Sequence, residues 1–179
     1  APGIDQTAMD HQIARNAATC EQANVQYICY ESDEQYLLNR LIAMESALAH
    51  LPHKTGAIKV QDVRKEILGT WMAEREANAQ MANNPRLRPS MDRIARYGQN
   101  LFLMRGSQTA TTIDNMRKLV QAHRKLSGDR RLVVFVDYLQ KVPQIPEPEN
   151  ETEKVTYLIN GLKDIALAEE MPMVCIGAS

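Results

Sequence analysis

The run Leu132-Val133-Val134-Phe135-Val136-Asp137 restricts the fold more than any other part of the chain, because its apolar residues follow one another without polar interruption and then end in a carboxylate. A strand with one face in water alternates apolar and polar residues. An unbroken run reads as a strand covered on both faces, which is the environment of a parallel sheet packed between helices. Three further segments read as strands: Val25 to Tyr30, Leu101 to Met104, and Met173 to Ile176, the last introduced by Pro172. Between them lie segments with helical spacing. Thr7 to Ala23 reads as a helix, and Asp33 is placed to cap a second one with Tyr36, Leu37, Leu38, Leu41, Ile42 and Met44 on its apolar face. Val60, Val63, Ile67, Leu68 and Trp71 predict an amphipathic helix from Val60 to about Asn78, and a short helix follows from about Ser90. Thr112 caps a helix to about Leu126, and another runs from about Thr152 to Glu170. Parallel strands need long crossovers, so this alternation predicts an α/β fold: a mainly parallel sheet with right-handed crossovers and helices on both faces.

The chain has 179 residues, 44% of them hydrophobic and 24% charged, which suits one globular domain over 1–179 and argues against disorder. Lys and Arg total 21 against 22 Asp and Glu, for a net charge of −1, so any binding to nucleic acid or an anionic membrane must be local. Cys20, Cys29 and Cys175 form an odd set without a CxxC pair, which suggests neither a disulfide framework nor a zinc site and fits a reducing cytoplasm. No apolar run approaches the roughly 18 residues of a membrane span.

In a parallel α/β sheet, ligands gather at the carboxyl ends of the strands. Two acids are placed there: Asp137, which ends the buried strand, and Glu31, which follows Val25 to Tyr30. The chain opens with Ala1-Pro2-Gly3-Ile4-Asp5-Gln6-Thr7, a glycine-containing loop entering a helix, where backbone N–H groups and the helix dipole can hold phosphate. A phosphate loop of the form GxxxxGK[ST] would end in Gly-Lys-Thr, whereas this one ends in Asp5-Gln6-Thr7.

Taken together, these residues resemble the C-terminal motor domain of the DnaB-type replicative helicases, within the RecA-like P-loop ATPases. Val133-Val134-Phe135-Val136-Asp137-Tyr138-Leu139-Gln140 looks like the family's Walker B strand with its Asp-Tyr-Leu-Gln ending. Glu31-Ser32-Asp33-Glu34-Gln35 with Leu38 and Arg40, Thr112-Ile113-Asp114-Asn115, and the segment from Glu153 to Pro172-Met173-Val174 follow in the family's order. The resemblance implies ATP and Mg²⁺ as cofactors, single-stranded DNA as partner, and a homo-oligomeric ring, a hexamer, in the cytoplasm. It also implies roles for particular residues. Asp137 would hold the water shell of Mg²⁺, Thr7 would ligate the metal, and Glu31 would orient the attacking water. Gly3, Asp5, Gln6 and Thr7 would form the phosphate loop, and Gln140 matches a position near the nucleotide and subunit boundary. It further implies that the chain is a piece of a longer motor domain, lacking flanking strands at both ends and the trans-acting arginine.

Gln6 stands where the family has a lysine, and Asp5 where it has a glycine. Loss of the cation, together with about 1 to 4 kcal/mol of repulsion for unit charges near 4 Å, predicts weak ATP binding. Glu147, Glu149, Glu151 and Glu153 outnumber Lys141 in the loop corresponding to the DNA channel. A class-distinct alternative is therefore a non-catalytic RecA-like assembly or regulatory module that has lost ATP binding. A KaiC-like regulatory ATPase is a third, which Asp137-Tyr138-Leu139-Gln140 disfavours. Several other residues carry no functional expectation: His50 and His53 read as a polar loop, His11 as helix surface, Trp71 and Tyr138 as packing, and Lys125, Arg130 and Arg131 as a solvated turn.

Overall fold

The computed structural model describes residues 6–20, 23–51, 56–68, 83–128 and 130–177, with the side chains of residues 6–8, 67 and 68 excepted. Strands β1 (Ala23–Cys29), β2 (Leu101–Arg105), β3 (Arg131–Asp137) and β4 (Met173–Ile176) form one sheet in the order β2-β1-β3-β4, and every pairing is parallel. The four strands predicted from sequence are thus neighbours in one parallel sheet.

The chain divides into two compact units, one made of the residues up to Glu34 and from Asn100 onward, the other of Gln35–Gln99. In the first, helix α1 (Gln6–Thr19) lies against one face of the sheet. Its buried residues Asp10, Ala14 and Ala18 recur every fourth position, and that small-residue stripe lets the helix approach the strands. The rings of Tyr27 and Phe135 stack on this side with centroids 5.7 Å apart, and His11 meets Tyr27 edge-on at 4.7 Å. His11 is 1% exposed. The expectation that it sits on the helix surface is corrected: its position beside Asp10 turns it toward the sheet, where aromatic packing on Tyr27 replaces hydration.

The opposite face carries the larger apolar cluster. Leu132, Val134 and Val136 of β3 join Ile28 of β1, Met116 and Val120 of helix α5 (Ile113–Ser127), and Leu158, Leu162 and Ile165 of helix α6 (Glu151–Ala168). Alternate residues of β3 therefore face two covered sides, which is why its sequence does not alternate. Each such side chain contributes about 1.5–3 kcal/mol on burial. A Cβ on Gly161 of α6 would lie 2.8 Å from Ile113 of α5, so glycine sets how closely these helices cross. Thr112 closes its helix as the sequence predicts, its side chain accepting a hydrogen bond from the Asn115 N–H at 3.4 Å, and the structure adds a second cap, Asn150, which accepts from the Glu153 N–H at 2.8 Å.

The second unit contains helix α2 (Glu34–Ala49, apart from its first residue), α3 (Val60–Leu68) and α4 (Arg88–Ala95). Glu45 is fully buried there, and its carboxylate accepts from Arg93 Nε at 3.0 Å and from the Tyr97 hydroxyl at 2.9 Å. The predicted continuation of α3 to Asn78, with Trp71, lies outside the described residues, as does His53. His50 Nδ1 sits 2.7 Å from the Ser46 carbonyl, as a local turn contact.

Candidate active site at the carboxyl ends of the strands

Register places Arg105, Cys29, Asp137 and Ile176 in one row across the four strands. This row is where β1, β2 and β3 give way to loops. Asp137 closes β3 and is 2% exposed. Its Oδ2 accepts a hydrogen bond from the Tyr27 hydroxyl at 2.8 Å and lies 3.7 Å from Cys29 Sγ. Tyr27 and Cys29 are alternate residues of β1, so both reach the α1 side of the sheet together. Burial, with the Asp137 charge beside it, pushes the Tyr27 hydroxyl well above the ordinary phenol range, so Tyr27 is a permanent donor to that carboxylate.

Glu31 follows β1 directly and is solvent-exposed. The backbone delivers it to the same sheet end as Asp137: Cys29 pairs with Asp137, and the Tyr30 N–H donates to the Asp137 carbonyl at 2.7 Å. Cys29 Sγ also accepts from the Ser32 N–H at 3.3 Å, which pins the turn carrying Glu31. Across β1, the Gly106 N–H donates to the Cys29 carbonyl at 2.7 Å, and a Cβ on Gly106 would stand 2.7 Å from the Tyr30 ring. Only glycine lets the end of β2 close over that ring, whose hydroxyl donates to the Thr111 carbonyl at 2.7 Å.

Of the residues expected to form the phosphate loop, Gly3 and Asp5 lie outside the described residues. Gln6 and Thr7 form the first turn of α1, while their side chains also lie outside the description. The helix itself packs on β1 and β3, so its axis runs beside the strands that carry Glu31 and Asp137. Gln140 belongs to the 3-10 turn Leu139–Lys141 after β3, and its carbonyl accepts from Lys154 Nζ at 2.8 Å. It lines a cavity of about 700 Å³ between the loops after β2 and β3, with Gln108 and Thr109 on the other side. Glu147 and Glu151 line this cavity with Lys141 and Lys154, so Lys154 from α6 partly balances the acids that dominate the loop's sequence.

Asp10 is the residue that the sequence reading missed. It is 7% exposed, and burial together with the nearby Asp137 charge raises its carboxyl pKa. The signal was present in the i, i+4, i+8 spacing of Asp10, Ala14 and Ala18, which puts Asp10 on the helix stripe that faces the sheet.

The family model described as "DnaB-like helicase C terminal domain" matches residues 1–178. No curated protein sequence matches significantly. Among solved structures, one described as an "ATPase Domain" superposes with a TM-score of 0.71 at 17% identity, covering 97% of this chain and 53% of that one. A structure titled "The Structure Of A DnaB-Like Replicative Helicase And Its Interactions With Primase" gives the same TM-score and identity, covering 97% of this chain and 36% of that one. The chain thus spans about half or less of these structures' own length, and at this identity the likeness shows the shared fold.

Proposed function

Because the chain belongs to the DnaB-like helicase C-terminal domain family, we propose that it is the RecA-like motor portion of a replicative DNA helicase, built to couple ATP hydrolysis to translocation on single-stranded DNA. The observation that carries this reading is Asp137: a carboxylate 2% exposed, ending a buried parallel strand and held by Tyr27, beside the strand end that presents Glu31. Ordinary strand-terminal acids solubilise the chain and are hydrated, whereas this one is held inside.

The residues present fit a divalent metal. Asp137 is an oxygen donor whose orientation is fixed by a neutral hydroxyl. Asp137 would hold the metal's water shell and Thr7 would ligate it, with Gln140 near the nucleotide. Gly3, Asp5 and Gln6 would form the phosphate cradle. When bound, Mg²⁺ neutralises developing charge on the transferring phosphoryl group. Glu31, exposed at its strand end, is free to accept a hydrogen bond from a water molecule and aim it. Gln6 donates hydrogen bonds without the charge of a lysine, so the cradle is weak as written. In the intact protein the same reading implies a homo-oligomeric ring, a hexamer in the cytoplasm, with this chain as one RecA-like domain of each subunit. No helix among the described residues is long and apolar enough to cross a membrane.

The test is calorimetric titration with Mg-ATP of the unaltered chain and of Asp5→Gly combined with Gln6→Lys. Weak binding that rises at least tenfold in the double variant is expected. Micromolar binding by the unaltered chain, or no gain in the variant, removes this account of the loop. The second reading, a non-catalytic RecA-like module, is favoured by Asp5 and Gln6 specifically; it predicts that the double variant gains nothing.

A further inference from the structure

At the amino ends of the strands, opposite the row that carries Asp137, the ladder between β3 and β4 stops one rung short. Asp137 faces β1, since its carbonyl accepts from the Tyr30 N–H at 2.7 Å, and Val134 faces β4, since its N–H donates to the Pro172 carbonyl at 3.2 Å. Alternation along β3 turns the Leu132 N–H and C=O to the β4 side as well. β4 begins opposite Val134, so no strand residue stands across from Leu132. The sequence explains the gap. Pro172 has no N–H to offer the Leu132 carbonyl. Just before it the chain is still leaving α6, with Glu170 at φ 50 and the Met171 N–H donating back to the Ala166 carbonyl at 3.0 Å. Leu132 is 1% exposed, so its open backbone groups have little access to water.

A cavity of about 740 Å³ opens beside this rung. Ala17, Ala23, Val133 and Pro172 give it apolar walls, while Arg124, Arg131 and Glu170 bring charge to it. No ion pair among the described residues involves any of these three. Arg124 donates to the Arg130 carbonyl at 3.3 Å, and Arg131 opens β3 at an exposed position. Two guanidiniums against one carboxylate leave the cavity with positive charge in excess. The planar guanidinium fork matches a carboxylate, and a single open rung has room for one such group rather than for a strand. Glycine is the usual residue at a left-handed helix end, so Glu170 keeps its carboxylate on this wall at a conformational cost.

We propose that this cavity binds a small organic acid with an apolar body, its carboxylate held by the Arg131 guanidinium and the Leu132 N–H. Glu170 opposes a second negative charge, so the site selects a monoanionic acid over phosphate. It lies at the other end of the sheet from Asp137 and Glu31 and is independent of the helicase reading.

Cys20 lines the cavity and is exposed, whereas Cys175 of β4 is exposed outside it, which supplies an internal control. Alkylation of both thiols by iodoacetamide is followed by peptide mass spectrometry in millimolar phenylpropionate, its neutral amide phenylpropionamide, or inorganic phosphate. Phenylpropionate is expected to slow Cys20 at least threefold, saturably, and to leave Cys175 unchanged. The amide and phosphate are expected to need at least tenfold higher concentration for the same protection. Arg131→Gln is expected to raise the half-protecting concentration of phenylpropionate at least tenfold while its far-ultraviolet circular dichroism is retained. Absence of Cys20 protection by phenylpropionate, equal protection by the amide or by phosphate, or slowing of Cys175 alongside Cys20 overturns the proposal. So does equal protection in Arg131→Gln. If that variant does not fold, the comparison of acid with amide on the unaltered chain decides alone.

Discussion

Asp137 keeps its place inside the fold because the Tyr27 hydroxyl donates to it at 2.8 Å, and Tyr27 keeps its place because its ring stacks on Phe135. Tyr27→Phe separates the two contributions. The stack survives and only the hydroxyl is lost, leaving a buried acceptor short of a donor, which costs about 1–3 kcal/mol. Urea denaturation at neutral pH is expected to show that loss in the midpoint, and an unchanged midpoint contradicts the assigned bond. On the other face, His123 sits with Nδ1 3.2 Å from Gln26 Oε1, its ring edge-on to Phe102 at 4.2 Å, and its Nε2 buried without a partner. Burial lowers its pKa from 6.5. The folded state therefore binds this proton less readily than the unfolded chain, so the His123 contribution is fully present above about pH 6.5 and is lost as pH falls toward the folded value. His123→Gln is expected to flatten that part of the stability profile between pH 7.5 and 5.5, measured as the difference in denaturation midpoints. At this scale the placement of Asp137 and Glu31 at one sheet end was legible, because the apolar runs before them mark where the parallel strands finish. Asp10 and His11 were not, since a polar residue on a helix ordinarily marks the solvent side. His11 meets Tyr27, an aromatic partner on a different element.

The elements themselves were written in simple periodicities. β3 was legible because both its faces are covered, and its boundaries differ from the apolar run only by the flanking Arg131 and Asp137. The α5 cap was legible because Thr112 acts locally, within three residues, whereas the Asn150 cap of α6 lay hidden at the end of an acidic, Pro-rich loop. How closely α5 and α6 cross was not, because it depends on a contact between distant residues, Gly161 and Ile113. Gly161→Ala makes that contact measurable. Alanine improves helix propensity by about 1 kcal/mol. Its Cβ would meet Ile113 at 2.8 Å, and Ile113 is 3% exposed with little room to withdraw, so overpacking of about 1–3 kcal/mol opposes the gain. The clash is expected to win, giving a net loss on the order of 1 kcal/mol in thermal denaturation, and Ile113→Val is expected to recover part of it. A more stable Gly161→Ala protein means the helices can part without cost.

For the whole molecule, a net charge of −1 leaves no long-range attraction toward a phosphate backbone, so single-stranded DNA binding by this chain depends on local cations. The wall formed by the loop after β3 and the start of α6 offers Lys141 and Lys154 against Glu147 and Glu151, and Lys154 is already bonded to the Gln140 carbonyl. Such a surface neutralises few phosphates. For single strands, the slope of log K against log salt is about −0.7 per phosphate contact, so the unaltered chain is expected to bind oligothymidine weakly with a shallow slope. Glu147→Lys with Glu149→Lys reverses two exposed charges in this loop without touching Asp137, Glu31 or Asp10. If the loop lies along the path of the strand, as the helicase reading requires, fluorescence anisotropy at a series of salt concentrations will show tighter binding and a slope steeper by about 0.7 for each new contact, roughly 1.4 for both. A slope that does not move, with affinity unchanged at low salt, places the loop away from DNA and favours the non-catalytic module. Tighter binding with no change of slope would trace the gain to something other than phosphate contacts, and it would count equally against the loop as a DNA-facing wall.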